Sequence, residues 1–246
     1  AVIHECIKSI DEKINIIIVD NSNDLNFKKK IEKSYKNVSC VLSSQNHGMG
    51  KGNNTGIKLA KTDYVLTLNP DVILESNTIE ELIKASQKIS NFAILAPILS
   101  DYNYPNYKLD IERKFTSEMN SPFKVKSVDG FAMLFNKEKM DMVIQKDYFD
   151  ENFFMYLEND DLCKRVIDNN QNIFVVPNSK IKHMGGKAVD KKYQNEIEFS
   201  RNWHWIWSKF YFNKKHFGYK KAILNGFHKY IFSLIKYFFY LLIQNK

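Results

Sequence analysis

The sequence predicts an α/β fold in which a mixed, mostly parallel sheet is covered by helices, and three observations predict it. Over the first hundred residues, short apolar runs alternate with amphipathic stretches, the rhythm of strands joined by crossover helices. Each of the first three runs is followed by a cluster of Asn, Asp or Gly, which suits the sheet edge where such folds bind ligands. The 246 residues are 44% hydrophobic with only nine Gly and five Pro, enough apolar material for one large core and no mark of a collagen-like, low-complexity or disordered chain.

Taken in order, Ile14–Val19 is a β-branched run interrupted only by Asn15 and too short for a buried helix, and it opens into Asp20-Asn21-Ser22-Asn23-Asp24. Lys28–Ser34 reads as helix and Val38–Leu42 as strand. Asn46–Gly52 reads as a glycine-containing loop feeding a helix over Asn53–Ala60. Tyr64–Leu68 reads as a strand stopped by Asn69-Pro70-Asp71. Asn77–Ile89 is helical, with Leu82, Ile83 and Ile89 on its apolar face, and Phe92–Ala96 is a strand. Residues 101–126 are polar and aromatic with two prolines and read as a long loop. Order returns with Val128–Phe135, a helix from about Asn159 to Asp168, and a strand Ile173–Val176 closed by Pro177.

Charge divides the chain. The net +8 arises from 36 Lys and Arg against 28 acids. Residues 201–246 hold nine of the basic residues and no acid, so residues 1–200 carry 27 basic and 28 acidic side chains, a balance of −1. This separates a near-neutral body, 1–200, from a basic tail, 201–246. The three cysteines, Cys6, Cys40 and Cys163, are widely spaced, which fits neither a disulfide framework nor a CxxC metal site and suits a reducing compartment.

The clusters after the strands carry the candidate chemistry. Asp20 follows an apolar strand, as expected of a carboxylate presented to a ligand's ribose or base; Asn23 and Asp24 fit helix caps as well. In Asn46–Asn54 the Gly-Lys-Ser/Thr of a phosphate loop is lacking, yet its glycines permit close backbone approach. A helix opening near Asn53 offers free N–H groups to an anion. In Asn69-Pro70-Asp71 the proline sets the turn and Asp71 projects a carboxylate. One carboxylate plus a substrate's phosphates is a common way to hold Mg²⁺ or Mn²⁺. Each cluster also reads simply as turn residues. Further on, Glu158 falls at a helix start beside Phe153-Phe154-Met155-Tyr156-Leu157, with Asp161 and Arg165 following on one helix face. Apolar neighbours raise a carboxylate's pKa and helix N–H groups lower it, a placement suited to a general base as well as to ordinary N-terminal acids. His183 before Gly185-Gly186 reads as a second metal ligand, a phosphate contact or a surface histidine.

In family order, Ile16–Asp24, Asn46–Ile57, Leu68–Val72, Asp129–Leu134, Phe149–Arg165 and His183–Gly186 resemble the family 2 inverting glycosyltransferases of GT-A fold, especially the rhamnosyltransferase-like branch. The resemblance covers nearly all of residues 1–190. It implies a hexosyltransferase that takes a sugar from a nucleotide-diphosphate donor, dTDP-rhamnose favoured, to a cell-surface glycan or lipid-linked acceptor. It implies Mg²⁺ or Mn²⁺ at Asp71 and His183, a base at Glu158 or Asp161, and donor contacts from Asp20, Asn21, Asn46, Gly48, Asn53, Asn69, Asp129 and Gly130. Two departures stand out. Asn159 replaces the acid of the family's Glu-Asp pair, which opens the alternative of a non-catalytic nucleotide-sugar-binding or scaffold protein. The family's first strand is expected before Ala1, with only its following helix in Ala1–Ile10.

The tail holds all three Trp and 15 of the chain's 34 aromatics. Its apolar run Tyr230–Ile243 is about 14 residues, short of the ~20 a membrane span needs. Basic and aromatic residues without acids suit a helix lying on an anionic membrane at its cytoplasmic face, or a helix packed on the body. Stacking on single-stranded nucleic acid is the third option, and the aliphatic run argues against it.

Overall fold

The computed structural model describes residues 2–100, 104–109, 120–144, 146–184 and 194–226, together with Ile231 and Ile235. Gly185-Gly186, the centre of the 101–126 stretch and all but two residues of Tyr230–Ile243 lie outside the described residues.

The body opens with α1 (Val2–Lys8), β1 (Ile16–Asp20), α2 (Leu25–Ser34), β2 (Val38–Leu42), α3 (Gly48–Leu59), β3 (Tyr64–Leu68), β4 (Val72–Leu74), α4 (Thr78–Lys88) and β5 (Phe92–Leu99). Three short strands follow, β6 (Tyr107–Lys108), β7 (Phe123–Lys124) and β8 (Ser127–Val128). Next come β9 (Ala132–Asn136), α5 (Lys137–Val143), α6 (Glu158–Asp168), β10 (Asn172–His183) and α7 (Gln194–Phe217). Asp24 caps α2, its Oδ1 accepting from Asn26 N at 2.8 Å and Phe27 N at 3.0 Å.

The strands form a mixed arrangement. β1 and β2 make a parallel pair. The six-stranded sheet has the order β3-β9-β5-β10-β4, with β7 also pairing with β10. Within it β5 and β10 run parallel, while β9 lies antiparallel to both β3 and β5, and β4 antiparallel to β10. Period-two alternation supplies both faces. Ile94 and Ala96 of β5, with Ile173 and Val175 of β10, face a core completed by Phe135, Phe149 and Leu162. Leu95, Phe174 and Val176 point the other way, against Leu82 and Ala85 of α4.

Three expectations need correction. β10 does not close at Pro177. It runs on to His183, and the missing N–H of Pro177 is accommodated by a register shift between Val176 and Lys180. That continuation carries His183 to the sheet edge. Asn46–Gly52 is not all loop: α3 starts at Gly48, because Asn46 Oδ1 accepts from Gly48 N at 3.0 Å and closes the turn there. In the 101–126 stretch, β6 and β7 are strands, with Tyr107 and Phe123 buried and packed edge-on at 5.2 Å.

By packing, the chain divides into two compact units, Ala1–Phe154 with Glu158–Gln194, and Met155–Leu157 with Asn195–Lys246. α7 runs unbroken across residue 200. In the second unit Ser208 and Asn213 are buried, while Phe199 (77% exposed), Trp203 (63%) and Ile206 (67%) lie on one helical stripe. No helix among the described residues is long and apolar enough to cross a membrane.

Candidate functional site

The candidate residues gather in three places in the first unit. The first joins the end of β1 to the start of α3. Asp20 Oδ1 accepts from Ser22 Oγ (2.7 Å) and Ser22 N (3.0 Å), and Oδ2 from Asp24 N (2.9 Å). Partial burial works to raise the Asp20 pKa, but these hydrogen bonds prevail and hold it below the ordinary value. Its carboxylate therefore braces its own turn. Asn21 Nδ2 donates to Gly48 O at 3.1 Å, while its Oδ1 is buried without a partner. Gly48 sits at φ +82°, and a Cβ there would lie 2.2 Å from Phe154 O, so the position demands glycine. Asn53 is half-buried on α3. The neighbouring Asn54 is the buried clamp, its amide exchanging hydrogen bonds with Phe149 O (2.8 Å) and Phe149 N (2.9 Å).

The second place is the turn between β3 and β4. Asp71 Oδ1 lies 3.4 Å from His183 Nε2, and Asp71 O accepts from Met184 N at 3.0 Å. Adjacent donors on an octahedral ion with bonds of ~2.1 Å stand about 3 Å apart, so the pair fits two neighbouring positions of a Mg²⁺ or Mn²⁺. Among the described residues no group of three or more His, Cys, Asp or Glu gathers for a metal. A carboxylate oxygen and an imidazole nitrogen would leave the remaining positions to diphosphate and water oxygens. Phe131 stacks on the His183 ring, centroids 4.4 Å apart, and fixes its plane. Asn69 N donates to Phe131 O at 2.9 Å. Below the turn, Cys6 of α1 directs its thiol to Asn69 O at 3.8 Å, and burial pushes that thiol up to about 11.

The third place is the start of α6. Glu158 is 7% exposed and its Oε2 is buried with no hydrogen-bond partner. Burial raises its pKa, its own backbone N–H offsets part of that, and the Asp160 charge raises it further. Asp161 is fully buried and bound to Arg165 Nε at 2.8 Å; Arg165 also donates to Tyr148 O. That ion pair braces α6 and leaves Glu158 as a buried carboxylate there with an unengaged oxygen. Asp160 is paired with Lys108 Nζ (2.7 Å) and Ser127 Oγ (2.6 Å).

One segment links the second place to the third. At one end of Val128–Phe131, Asn159 Nδ2 donates to Val128 O at 2.9 Å, and a Cβ on Gly130 would come within 3.1 Å of Asn159 Cβ. At the other, Phe131 meets Asn69 and His183. Four residues extend at most ~14 Å, so the backbone contacts at the two ends of this segment lie within that reach of one another. Asp129, between them, has its pKa raised by burial, against the lowering effect of a 3.2 Å hydrogen bond from Tyr104 Oη. Leu99, Tyr104, Ile181, Lys182 and His183 line a cleft of about 220 Å³ alongside.

Sequence reasoning did not single out Tyr104, Phe131 or the left-handed backbone of Tyr156 (φ 71°) and Leu157 (φ 63°). Phe131 was readable as the aromatic of Asp129-Gly130-Phe131; nothing in the residue types announces the other two.

The fold is that of a GT-A domain, an α/β architecture shared with the solved glycosyltransferase structures it matches. Residues 1–149 match glycosyl transferase family 2, and the chain belongs to that family. It is 28% identical over 189 residues, 69% of this chain and 60% of the relative, to the low-salt glycan biosynthesis hexosyltransferase Agl10 of Haloferax volcanii. It is also 28% identical over 188 residues, 66% of this chain and 69% of the relative, to rhamnosyltransferase WbbL of Escherichia coli K12. The chain thus spans 60% of the length of the first relative. Among solved structures, GalNAc-T7 with UDP, GalNAc and Mn²⁺ matches at TM-score 0.59 and 16% identity, over 74% of this chain and 40% of that one. The mannosyltransferase PcManGT of Pyrobaculum calidifontis, in complex with GDP-Man and Mn²⁺, matches at TM-score 0.59 and 12% identity, over 84% of this chain and 59% of that one.

Proposed function

We propose that the chain is a metal-dependent inverting glycosyltransferase that moves a sugar, rhamnose favoured, from a nucleotide-diphosphate donor to a hydroxyl of a cell-surface glycan or lipid-linked acceptor. The observation that supports this reading is the segment Val128–Phe131: its Val128 O accepts from Asn159, the residue next to the buried, unengaged Glu158, and its Phe131 stacks on His183, which lies 3.4 Å from Asp71. The family membership supplies the reaction class, and WbbL supplies the leaning towards rhamnose.

Asp71 and His183 would hold Mg²⁺ or Mn²⁺, which when bound neutralises the charge developing on the departing diphosphate. Asn21, Asn46, Gly48 and Asn53 would line the nucleotide end, Asn69, Asp129 and Gly130 the sugar. Glu158 would take the proton from the acceptor hydroxyl as that oxygen forms its bond to the anomeric carbon. The bond to the diphosphate breaks on the opposite face, giving one displacement with inversion. Glu158→Gln keeps the shape of the side chain and removes its basicity. Its kcat should fall by roughly 10²–10⁴-fold with donor Kd unchanged. Transfer at the wild-type rate by that variant contradicts the assignment. Asn159 in place of an acid favours the second reading, nucleotide-sugar binding without transfer; calorimetric donor binding with no product on any acceptor would select it.

We also read 201–246 as a surface for an anionic membrane on the cytoplasmic side. Phe199, Trp203 and Ile206 expose one apolar stripe of α7, and the tail carries nine basic residues and no acid.

A further inference from the structure

Asp129 is held from three sides, all by residues of the first unit. Asn106 is fully buried, and its amide takes the place of a strand neighbour at the end of β5: Nδ2 donates to Pro97 O at 2.9 Å and Oδ1 accepts from Leu99 N at 3.1 Å. Its backbone O accepts from Asp129 N at 2.9 Å, so one residue ties Asp129 to the sheet. From the other side Asn159 Nδ2 holds Val128 O, the carbonyl of the preceding peptide. The third contact is to the carboxylate itself, where Tyr104 Oη donates to Oδ2 at 3.2 Å. Among the described residues Asp129 Oδ1 has no hydrogen bond, and a carboxylate accepts through both oxygens.

Tyr104 is 58% exposed, so its ring adds little to the core and water would serve its hydroxyl equally well. Its place is better explained by the site. Tyr104 and His183 line the same cleft, and the His183 charge reaches Asp129. The sugar of a donor is bonded directly to the diphosphate that an ion on Asp71 and His183 would hold, so it comes next to this cleft.

We propose that Tyr104 is a positioning residue for donor-sugar recognition: its hydroxyl engages Asp129 Oδ2 and leaves Oδ1 directed at a hydroxyl of the sugar. Asn106 fixes the backbone on which both stand. The role rests on the reading of Asp129 as a sugar contact, and it lies outside the nucleotide and metal contacts.

The test is a double-mutant cycle on the full chain with Tyr104→Phe, Asp129→Ala and the two combined. Calorimetry with Mg²⁺ compares dTDP-rhamnose with dTDP, which has the nucleotide and diphosphate but no sugar. Tyr104→Phe keeps the ring and removes one hydrogen bond, so affinity for dTDP-rhamnose should fall roughly three- to tenfold. Binding of dTDP should stay at the wild-type value in all variants, which also shows that they are folded. In the Asp129→Ala background Tyr104→Phe should cost nothing further, because it acts through that carboxylate. If Asp129→Ala weakens dTDP-rhamnose alone while Tyr104→Phe binds as wild type, the positioning role is overturned and Asp129 stands as a sugar contact. An equal loss for dTDP and dTDP-rhamnose, or the same loss with and without Asp129, overturns it too. If Asp129→Ala leaves dTDP-rhamnose binding intact, or wild type does not distinguish the two ligands, the reading of Asp129 falls and the role of Tyr104 with it.

Discussion

A buried glutamate with an unpaired oxygen is costly to keep ionised, and Glu158 shows where that cost would be felt. Its folded pKa is raised, chiefly by burial. Below the ordinary glutamate pKa of about 4.3 both folded and unfolded chains hold the proton and no penalty arises. As pH climbs through the unfolded value towards the folded one, the unfolded chain ionises first and stability is lost. Glu158→Gln should therefore raise Tm relative to wild type more at pH 7 than at pH 4, a comparison that thermal melts at the two pH values check. In the same protein the rate runs the other way, because a base works only when deprotonated. The acid limb of kcat/KM should lie above the ordinary carboxylate range, and a limb at or below it contradicts a buried base.

At the level of elements, the start of α3 is tightly constrained at Gly48, in the region proposed to line the nucleotide. Gly48→Ala places a methyl against Phe154 O and forces φ +82° on an L-residue. The backbone alone should cost on the order of 1–3 kcal/mol, and donor affinity should fall with it, readable by denaturant unfolding and calorimetry on one sample. Much of this element order was legible. β2 and β3 fall where their β-branched runs and flanking polar clusters put them, because a strand with one buried face prints a period into its sequence. β10 was read short, since Pro177 looks like a stop and only the partner strand β5 shows that a register shift absorbs it. Asp71 was readable from Asn69-Pro70-Asp71. Its closeness to His183 was not, since strands distant in sequence meet only through sheet order. The bracing of Asp161 by Arg165 was hidden in the same helical spacing that made Asp161 look available.

Over the whole molecule the net charge of +8 averages two different things, a body at −1 and an acid-free tail holding nine basic residues. That asymmetry, with the exposed stripe of α7, predicts flotation of the chain with anionic liposomes that falls as salt rises and is lost on removal of residues 201–246. Equal flotation with and without the tail would contradict it. Membership of glycosyl transferase family 2 gives the kind of reaction; in the proposed mechanism Asp71, His183 and Glu158 decide whether this chain performs it. The most direct test is nucleoside diphosphate release from a nucleotide-sugar panel, dTDP-rhamnose included, by wild type and by Asp71→Ala, with Mg²⁺ or Mn²⁺ and with EDTA. The account predicts metal-dependent release from one donor by wild type alone, abolished by EDTA and by Asp71→Ala. Release that survives both would contradict it.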